Sequence, residues 1–345
     1  MSSDPDALSR AIRKLAVRED LSAEETEAAF EVVMGGHASE VQVSDLLMGL
    51  RVKGETSHEI AGGVRALRKA MVPVEVADPD AVVDTCGTGG GSLTTFNIST
   101  AAAFVLAGAG VPVAKHGNRS FSSRCGSADV LEALGIDLPS TPRKMEEVFE
   151  KVGLSFLFAP YLHPAMKHVA PVRRKLDVPT IMNILGPLTN PARARRQVVG
   201  VADPVLLPLV AGALLELGHI RALVVYGEPG MDELSPLGPT QIVALENGRL
   251  DESVFDPASE LGWSDLDAGE LAGAGSEDNA RIIEDVLAGH GSKTARAAVT
   301  LNAAAGFYVA GAVDSLTEGL ERAESSVEEG KGLEALTRIR EATRE

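Results

Sequence analysis

Residues 84–134, DTCGTGGGSLTTFNISTAAAFVLAGAGVPVAKHGNRSFSSRCGSADVLEAL, decide the fold class of this 345-residue chain. A short apolar strand leads into the glycine-rich turn GTGGG at 87–91, and an alanine-rich helix follows at 99–109. A second strand at 111–115 then leads into AKHGNRS at 114–120. A strand, a glycine turn, a helix and another strand in this order are typical of a parallel sheet with helices packed against it.

The loops after these two strands predict a site for oxyanions. Glycine lets the backbone approach an oxyanion closely, and a helix start offers unpaired N–H groups and the positive end of the helix dipole. Hydroxyl side chains surround the first loop, while Lys115, His116, Asn118 and Arg119 lie together in the second. Because neighbouring parallel strands end at the same edge of a sheet, we expect one ligand with two separated phosphate groups.

Both loops also have a simpler interpretation. GTGGG is neither a P-loop nor a dinucleotide-binding fingerprint, so alone it is equally typical of a tight turn. Asn97 or Ser99 can act as an ordinary helix cap. The loop at 115–119 can be a solvated basic turn, although its place after a strand favours a functional role.

Asp232 and Glu233 follow a predicted strand at 221–227 and suit Mg²⁺, which takes one or two carboxylates plus substrate phosphate oxygens. With 49 acidic residues in the chain, a solvated acidic loop is the alternative. Arg173 and Arg174, near the end of a predicted helix at 163–176, either complement the helix C-terminus or clamp a carboxylate, and the sequence does not choose between the two arginines.

The motifs together indicate a Mg²⁺-dependent transferase that acts on a phosphoribosyl or polyphosphorylated compound. The chain contains no nucleophile elbow and no CxxC or HExxH spacing, which disfavours nucleophilic catalysis and a zinc site. Positioning and electrostatic stabilisation are the remaining means of catalysis.

Composition limits the binding partners and the cellular compartment that the sequence predicts. A formal net charge of −17 disfavours nucleic acids and anionic membrane surfaces as partners. Two cysteines do not form a disulfide framework, and the sequence has neither an apolar signal region nor a long apolar span. These features predict a soluble cytoplasmic protein.

Hydrophobic periodicity divides the chain into a helical start, an alternating middle and a helical tail. The first four predicted helices lie at 7–16, 22–34, 39–53 and 57–71, and Ser22 with Glu25 has the spacing of a capping box. The predicted strands lie at 81–85, 111–115, 154–158, 197–202, 221–227 and 240–246. Further helices are predicted at 99–109, 127–134, 142–151, 163–176, 204–217, 277–288, 292–311, 314–328 and 332–343. The pattern predicts an α/β fold with a mostly parallel sheet flanked by helices.

Six motifs occur in an order that closely resembles the anthranilate phosphoribosyltransferase family. They are GTGG…TFNIST, AKHGNRS, GSADVLEALG, HPAM…VRR, NILGPLTNP and MDELSPLGPT. The resemblance reaches from the first helices to about residue 335. It implies a small helical domain at 1–72, joined by part of 165–190, and a large α/β domain at 73–345 of the nucleoside phosphorylase and phosphoribosyltransferase type. It also implies a homodimer formed through the small domain.

The resemblance further implies transfer of the 5-phosphoribosyl group from phosphoribosyl diphosphate to the amine of anthranilate, with Mg²⁺ and release of pyrophosphate, in tryptophan biosynthesis. Lys115, Asn118 and Arg173 would be the catalytic residues, and Ser99, Asp232 and Glu233 would bind Mg²⁺. The residues implied for phosphoribosyl diphosphate are Gly87, Gly90, Gly91, Thr95, Asn97, Ile98, Ser99, Thr100, Lys115, His116, Gly117, Asn118, Arg119, Ser120, Phe121, Ser122, Ser123 and Ser127. Those implied for anthranilate are Gly87, Asn118, Ala159, Pro160, His163, Met166 and Arg173.

One position departs from the family pattern. The glycine turn usually continues as GTGGD, and here Gly91 replaces the aspartate. We therefore expect an altered Mg²⁺ dependence and weaker binding of phosphoribosyl diphosphate, without loss of activity. Three alternatives stay open: a pyrimidine-nucleoside phosphorylase of shared architecture, a family-like protein with another aromatic acceptor or none, and a non-catalytic binding or regulatory protein.

Overall fold

The computed structural model describes residues 6–119 and 125–344. Its first four helices are α1 (Ala7–Ala16), α2 (Ala23–Met34), α3 (Glu40–Lys53) and α4 (Ser57–Ala70). Helices α2 to α4 each begin with a reciprocal capping box, which satisfies backbone groups that a helix start leaves unpaired. The three boxes are Ser22 with Glu25, Ser39 with Gln42 and Thr56 with Glu59. The predicted box at Ser22 is confirmed.

The remaining helices surround a central sheet. They are α5 (Ile98–Gly108), α6 (Ser127–Ala133), α7 (Pro142–Val152), α8 (Ala159–Leu162), α9 (Ala170–Leu176), α10 (Ile181–Leu185), α11 (Leu206–Glu216), α12 (Pro257–Leu261), α13 (Ser276–Leu287), α14 (Lys293–Ala310), α15 (Leu316–Glu328) and α16 (Lys331–Arg344), with 3₁₀ segments at Pro164–His168 and Ala268–Leu271. The single helix predicted at 163–176 is wrong. Pro164 and Pro171 interrupt its hydrogen bonding, so a 3₁₀ turn and the short α9 replace it.

The sheet has seven strands in the order β3-β2-β1-β4-β5-β6-β7. The strands are β1 (Val83–Gly87), β2 (Val113–Gly117), β3 (Leu154–Phe158), β4 (Arg196–Gly200), β5 (Arg221–Gly227), β6 (Thr240–Glu246) and β7 (Arg249–Phe255). Strands β1 to β5 pair in parallel, and β6 and β7 add antiparallel at one edge. The predicted mostly parallel α/β fold with a small N-terminal helical domain is therefore confirmed, although β7 was not predicted.

Two hydrophobic clusters cover the two faces of the sheet. Alternate residues of a strand point to opposite faces, so Val198 belongs to one cluster and Val199 to the other. The first cluster contains Phe104 and Phe307 from the helices of the large domain. The second cluster contains residues of the N-terminal helices, residues of the segment from Val169 to Leu188, and strand residues on the opposite face of the sheet. α4 of the small helical domain packs against α11, and α11 in turn packs against β5 and β6.

Four strands end on a glycine at the same edge of the sheet. These residues are Gly87 of β1, Gly117 of β2, Gly200 of β4 and Gly227 of β5. The loops after them therefore lie together, as expected for the carboxyl ends of parallel strands. Within residues 6–119 and 125–344, no helix is both long and apolar enough to cross a membrane.

Candidate active site

The glycine turn after β1 and the acidic loop after β5 are in direct contact. The backbone N–H of Gly89 donates to Asp232 Oδ2 over 2.8 Å, and Ser92 Oγ donates to the Pro229 carbonyl over 3.0 Å. Gly89 and Gly90 both have positive φ, a conformation that other residues rarely adopt. Glycine is therefore required for the path of this turn, and the turn brings the Gly89 N–H group to the Asp232 carboxylate.

The glycines that end the strands make room for the acidic loop. A Cβ on Gly87 would lie 2.3 Å from Asp232 Oδ2, and one on Gly227 would lie 2.5 Å from the Glu233 carbonyl oxygen. A Cβ on Gly200 would lie only 1.6 Å from the Asp232 carbonyl oxygen. Gly200 was not among the predicted site residues. A glycine directly after an apolar strand, in the same relation as Gly87, is the sequence signal that indicates it.

Asp232 and Glu233 form a carboxylate pair in a desolvated position. Burial, followed by the charge of Asp232, raises the pKa of Glu233 to about 8, and burial also raises the pKa of Asp232. Lys115 and hydrogen bonds from Ser99 oppose the shift at Glu233. Two such carboxylates favour binding of a cation, because its charge would offset their repulsion and their desolvation.

The donor set at this pair suits a hard cation. Ser99 and the two carboxylates offer only oxygen atoms, which Mg²⁺ prefers, and Mg²⁺ usually keeps several waters or substrate oxygens. The described part of the chain contains no group of three or more His, Cys, Asp or Glu residues arranged to hold a metal ion. Protein ligands alone would thus leave coordination positions for phosphate oxygens.

The start of α5 combines site residues with core residues. Asn97 is the N-cap residue, but its side chain does not cap the helix; Nδ2 donates to the Cys125 carbonyl over 3.3 Å, and Oδ1 accepts from Asn279 Nδ2. Ile98 and Thr100 are buried, so only their backbone could reach a ligand, and their N–H groups donate to the Phe96 and Asn97 carbonyls in this structure. Thr95 forms an isolated bridge with Ala272, which fixes the approach to the helix.

Lys115 and His116 lie inside the protein rather than in a solvated loop. Lys115 is 4% exposed, and its Nζ donates to the Thr85 carbonyl and, over 3.1 Å, to Ser99 Oγ. His116 Nε2 lies 3.2 Å from Nε2 of His163. Burial lowers the pKa of both imidazoles, that of His163 to about 4, so both are neutral at pH 7.

Asn118 and Arg119 are exposed beyond the end of β2. Arg119 forms ion pairs with Asp129 and Glu132 on α6, which engage its guanidinium in this structure. Ser127, the first residue of α6, donates from Oγ to the Asn118 carbonyl over 3.2 Å. The predicted ligands Ser120, Phe121, Ser122 and Ser123 lie outside the described residues.

The residues predicted to contact the aromatic substrate follow β3. Ala159 and Pro160 begin α8, and Met166 lies in the 3₁₀ segment. On α9, Arg173 is half-buried and its NH2 group is 3.4 Å from Asn183 Oδ1, whereas Arg174 is exposed. Burial lowers the pKa of Arg173. Of the two arginines, Arg173 is the less exposed, and it lies against Asn183 of α10.

Known proteins match the chain over nearly all of its length. Residues 79–333 match the α/β domain of a glycosyl transferase family, and residues 9–71 match the helical bundle domain of that family. The anthranilate phosphoribosyltransferase of Rubrobacter xylanophilus is 48% identical over 332 residues, which are 96% of each chain.

Solved structures of similar proteins match as well. The crystal structure of anthranilate phosphoribosyltransferase from Thermus thermophilus superposes with a TM-score of 0.91 at 43% identity, covering 97% of this chain and 99% of that one. The Saccharomyces cerevisiae enzyme in complex with PRPP and Mg superposes with a TM-score of 0.88 at 27% identity, covering 98% of each chain.

Proposed function

The chain belongs to the anthranilate phosphoribosyltransferase family, and from this premise we propose how its site performs the family's reaction. The enzyme transfers the 5-phosphoribosyl group of phosphoribosyl diphosphate to the amine of anthranilate, in L-tryptophan biosynthesis. The products are N-(5-phosphoribosyl)anthranilate and pyrophosphate. The observation that supports the proposed mechanism is the contact between the glycine turn, which we assign to the phosphates, and the Asp232–Glu233 pair, which we assign to the cation.

The donor substrate is assigned to the glycine turn, the start of α5 and the loop after β2. In this assignment the backbone of 87–91 and the hydroxyl of Ser99 bind the diphosphate. Lys115, whose Nζ donates to Ser99 Oγ, adds a positive charge next to them. The assigned residues described by the structure are Gly87, Gly90, Gly91, Thr95, Asn97, Ile98, Ser99, Thr100, Lys115, His116, Gly117, Asn118, Arg119 and Ser127. Thr100 and Ile98 would contribute backbone groups alone, because their side chains are buried.

We assign Mg²⁺ to Ser99, Asp232 and Glu233. When bound, the ion neutralises the charge that develops on the leaving pyrophosphate. Asp232, whose Oδ2 accepts from the Gly89 N–H in this structure, would bind the cation together with Glu233, and Lys115 would keep a compensating charge next to Glu233. Phosphate oxygens of the donor substrate would complete the coordination.

Anthranilate is assigned to the side formed by α8 and α9. Arg173 would bind its carboxylate and Asn118 would orient it, while Ala159, Pro160, His163 and Met166 line the approach. Gly87 is assigned to anthranilate through its backbone. As the C1–O bond of the ribose breaks, the amine forms the C1–N bond. An aromatic amine is neutral at pH 7, so the reaction requires no strong general base, in agreement with a site that positions substrates and stabilises charge.

The loss of anthranilate fluorescence on mixing with phosphoribosyl diphosphate and Mg²⁺ tests the proposed activity. We expect rapid loss that stops when a chelator removes the metal ion. Phosphorolysis of thymidine or uridine, with no reaction of anthranilate, would instead identify a nucleoside phosphorylase. Isothermal titration with phosphoribosyl diphosphate, followed by a screen of substituted anilines, would reveal an enzyme of the same scaffold with another acceptor.

Gly91→Asp is expected to change the Mg²⁺ response. The added carboxylate lies near the acidic loop, so half-maximal activity should need about threefold less Mg²⁺. A Cβ at this position would lie 2.7 Å from the Gly230 carbonyl oxygen, so the loop must shift and the melting temperature should fall. Gly91→Asn is the matched control, because it carries the same steric burden without the charge. Identical Mg²⁺ curves for the wild type and both variants would contradict the expectation.

We further propose a homodimer that buries exposed valines of the small domain. Val41 and Val52, both on α3, are 69% and 61% exposed. They are eleven residues apart, which is about three helical turns, so both lie on the same face of the helix. Val17, at the end of α1, is 67% exposed. Light scattering should give a dimer for the wild type and a monomer for Val52→Asp. Val205→Asp, an equally exposed valine at the start of α11, is the control. A monomeric wild type would refute the assignment.

The domain division at 1–72 and 73–345, with part of 165–190 in the small domain, is also a proposal. The packing of Val169, Val172 and Leu185 with the N-terminal helices supports it. A cytoplasmic location is proposed from the biosynthetic role of the family. Fractionation of cells with an antibody to the protein would test that location, and recovery in the membrane or secreted fraction would contradict it.

A further inference from the structure

The parallel ladder between β1 and β2 stops after its first residue pair. Val83 is paired with Val113, and its N–H donates to the Pro112 carbonyl over 2.9 Å. By contrast, β1 pairs with β4 along its whole length, from Val83 to Gly87. The backbone hydrogen-bonding ladder between the two strands that carry the phosphate-binding loops therefore ends before the site, although each strand continues to pair regularly on its other side.

Side chains bind the backbone groups that the interrupted ladder leaves open. If the register continued, Thr85 would pair with Ala114 and His116. Instead the N–H of His116 donates to Asp84 Oδ1 over 3.2 Å, and the carbonyl of Thr85 accepts from Lys115 Nζ. The carbonyl of Ala114 accepts from Asn190 Nδ2 over 2.8 Å. Buried backbone groups need such partners, so the gap is a built feature of the fold.

Asp84 is the residue that these contacts share. It is fully buried, and its Oδ2 accepts from Gln197 Nε2 over 3.1 Å. The charge of Lys115 and the neighbouring amide of Asn190 favour the ionised form of its carboxyl and so lower its pKa. Burial raises the pKa of Asp84 and lowers that of Lys115, and each charge opposes the shift of the other. One carboxylate thus connects β1 with β2, with β4 and with the segment that contains Asn190.

We propose that Asp84 is a positioning residue that, together with Asn190 and Lys115, holds the ends of β1 and β2 apart. The gap sets the distance between the glycine turn and the loop at 117–119, and so matches them to the two phosphate groups of one substrate. The inference rests on the proposed assignment of phosphoribosyl diphosphate to these loops. Asp84 itself does not touch the substrate; it acts through the backbone of His116 and through Lys115.

The test separates the Michaelis constants of the two substrates in Asp84→Ala and Asp84→Asn. In Asp84→Ala we expect the KM for phosphoribosyl diphosphate to rise at least about tenfold, and the KM for anthranilate, at saturating donor, to stay within about twofold. Asp84→Asn keeps an oxygen that can accept from His116, so its donor KM should lie between those of the wild type and the alanine variant. Turnover by the wild type tests the proposed function separately.

Thr300→Val is the control for loss of a buried polar group. Thr300 is buried on α14 and its hydroxyl bonds only within that helix, so both Michaelis constants should be unchanged. An unchanged donor KM in Asp84→Ala, or an equal rise of both Michaelis constants, would overturn the proposal. If Asp84→Ala does not fold, Asp84→Asn carries the test: a selective rise of the donor KM supports the proposal and an unchanged donor KM refutes it.

Discussion

Replacing Arg173 by alanine is expected to lower kcat/KM for anthranilate at least about 30-fold, because removing one partner of a buried charge pair costs about 2–5 kcal/mol. The half-buried guanidinium of Arg173 is held near Asn183 and is already partly desolvated. A carboxylate that binds to it therefore meets a charge with little competing water. The loss should appear mainly in the KM for anthranilate.

Arg174→Ala is the matched control for this experiment. It removes the same side chain one position away, on the exposed face of α9, and should leave kcat/KM within about twofold. Steady-state kinetics by anthranilate fluorescence, with saturating phosphoribosyl diphosphate, measures both variants. Equal losses in the two variants would assign the effect to the basic character of α9 as a whole, and the carboxylate clamp would be rejected.

Gly200→Ala is expected to reduce activity at least about 100-fold although it adds a single methyl group. Its Cβ would lie 1.6 Å from the carbonyl oxygen and 2.2 Å from the carbonyl carbon of Asp232. Neither is the end of a flexible side chain, so the acidic loop must move. Asp232 and Glu233 would then leave their positions beside Ser99 and the glycine turn, and the Mg²⁺ concentration for half-maximal activity should rise.

Gly275→Ala provides the control for the glycine substitution. A Cβ at Gly275 would meet no atom within 4 Å, so both activity and Mg²⁺ response should stay near those of the wild type. Circular dichroism and thermal melting establish that Gly200→Ala is folded before its Mg²⁺ titration is measured. A folded Gly200→Ala enzyme with a normal Mg²⁺ titration would disprove the role of the acidic loop as the cation site.

The sequence predicted the architecture because the pattern of apolar residues is clear in the helices and strands that form the hydrophobic core. The strand at 154–158 was predicted at its observed position, since it is apolar except at Ser155 and buried along its length. β7 was missed because six of its seven residues are exposed, so RLDESVF lacks the apolar alternation of a half-buried strand. The helix at 163–176 was wrong because its apolar spacing continued across Pro164 and Pro171.

The site was less predictable than the fold, because much of it depends on contacts between distant segments. Lys115 was expected in a loop, but it belongs to strand β2. Its side chain is buried and donates to Ser99 Oγ. The roles of Asp84 and Gly200 depend on partners more than thirty positions away. No local periodicity encodes such contacts. The residues alone did not choose between Arg173 and Arg174; the family resemblance implied Arg173, and its half-buried position beside Asn183 agrees with that choice.

The strand-end glycines also have a consequence for how this enzyme can diversify. Gly87, Gly200 and Gly227 let the acidic loop lie directly against the strand ends, because a Cβ at any of them would meet Asp232 or Glu233. Substitution at these points displaces the loop assigned to the cation and does not retune the choice of donor. The acceptor pocket, by contrast, is assigned to side chains of α8, α9 and the turn between them. Variants that accept other aromatic amines should therefore arise from changes at 159–173, with phosphoribosyl diphosphate retained as the common donor.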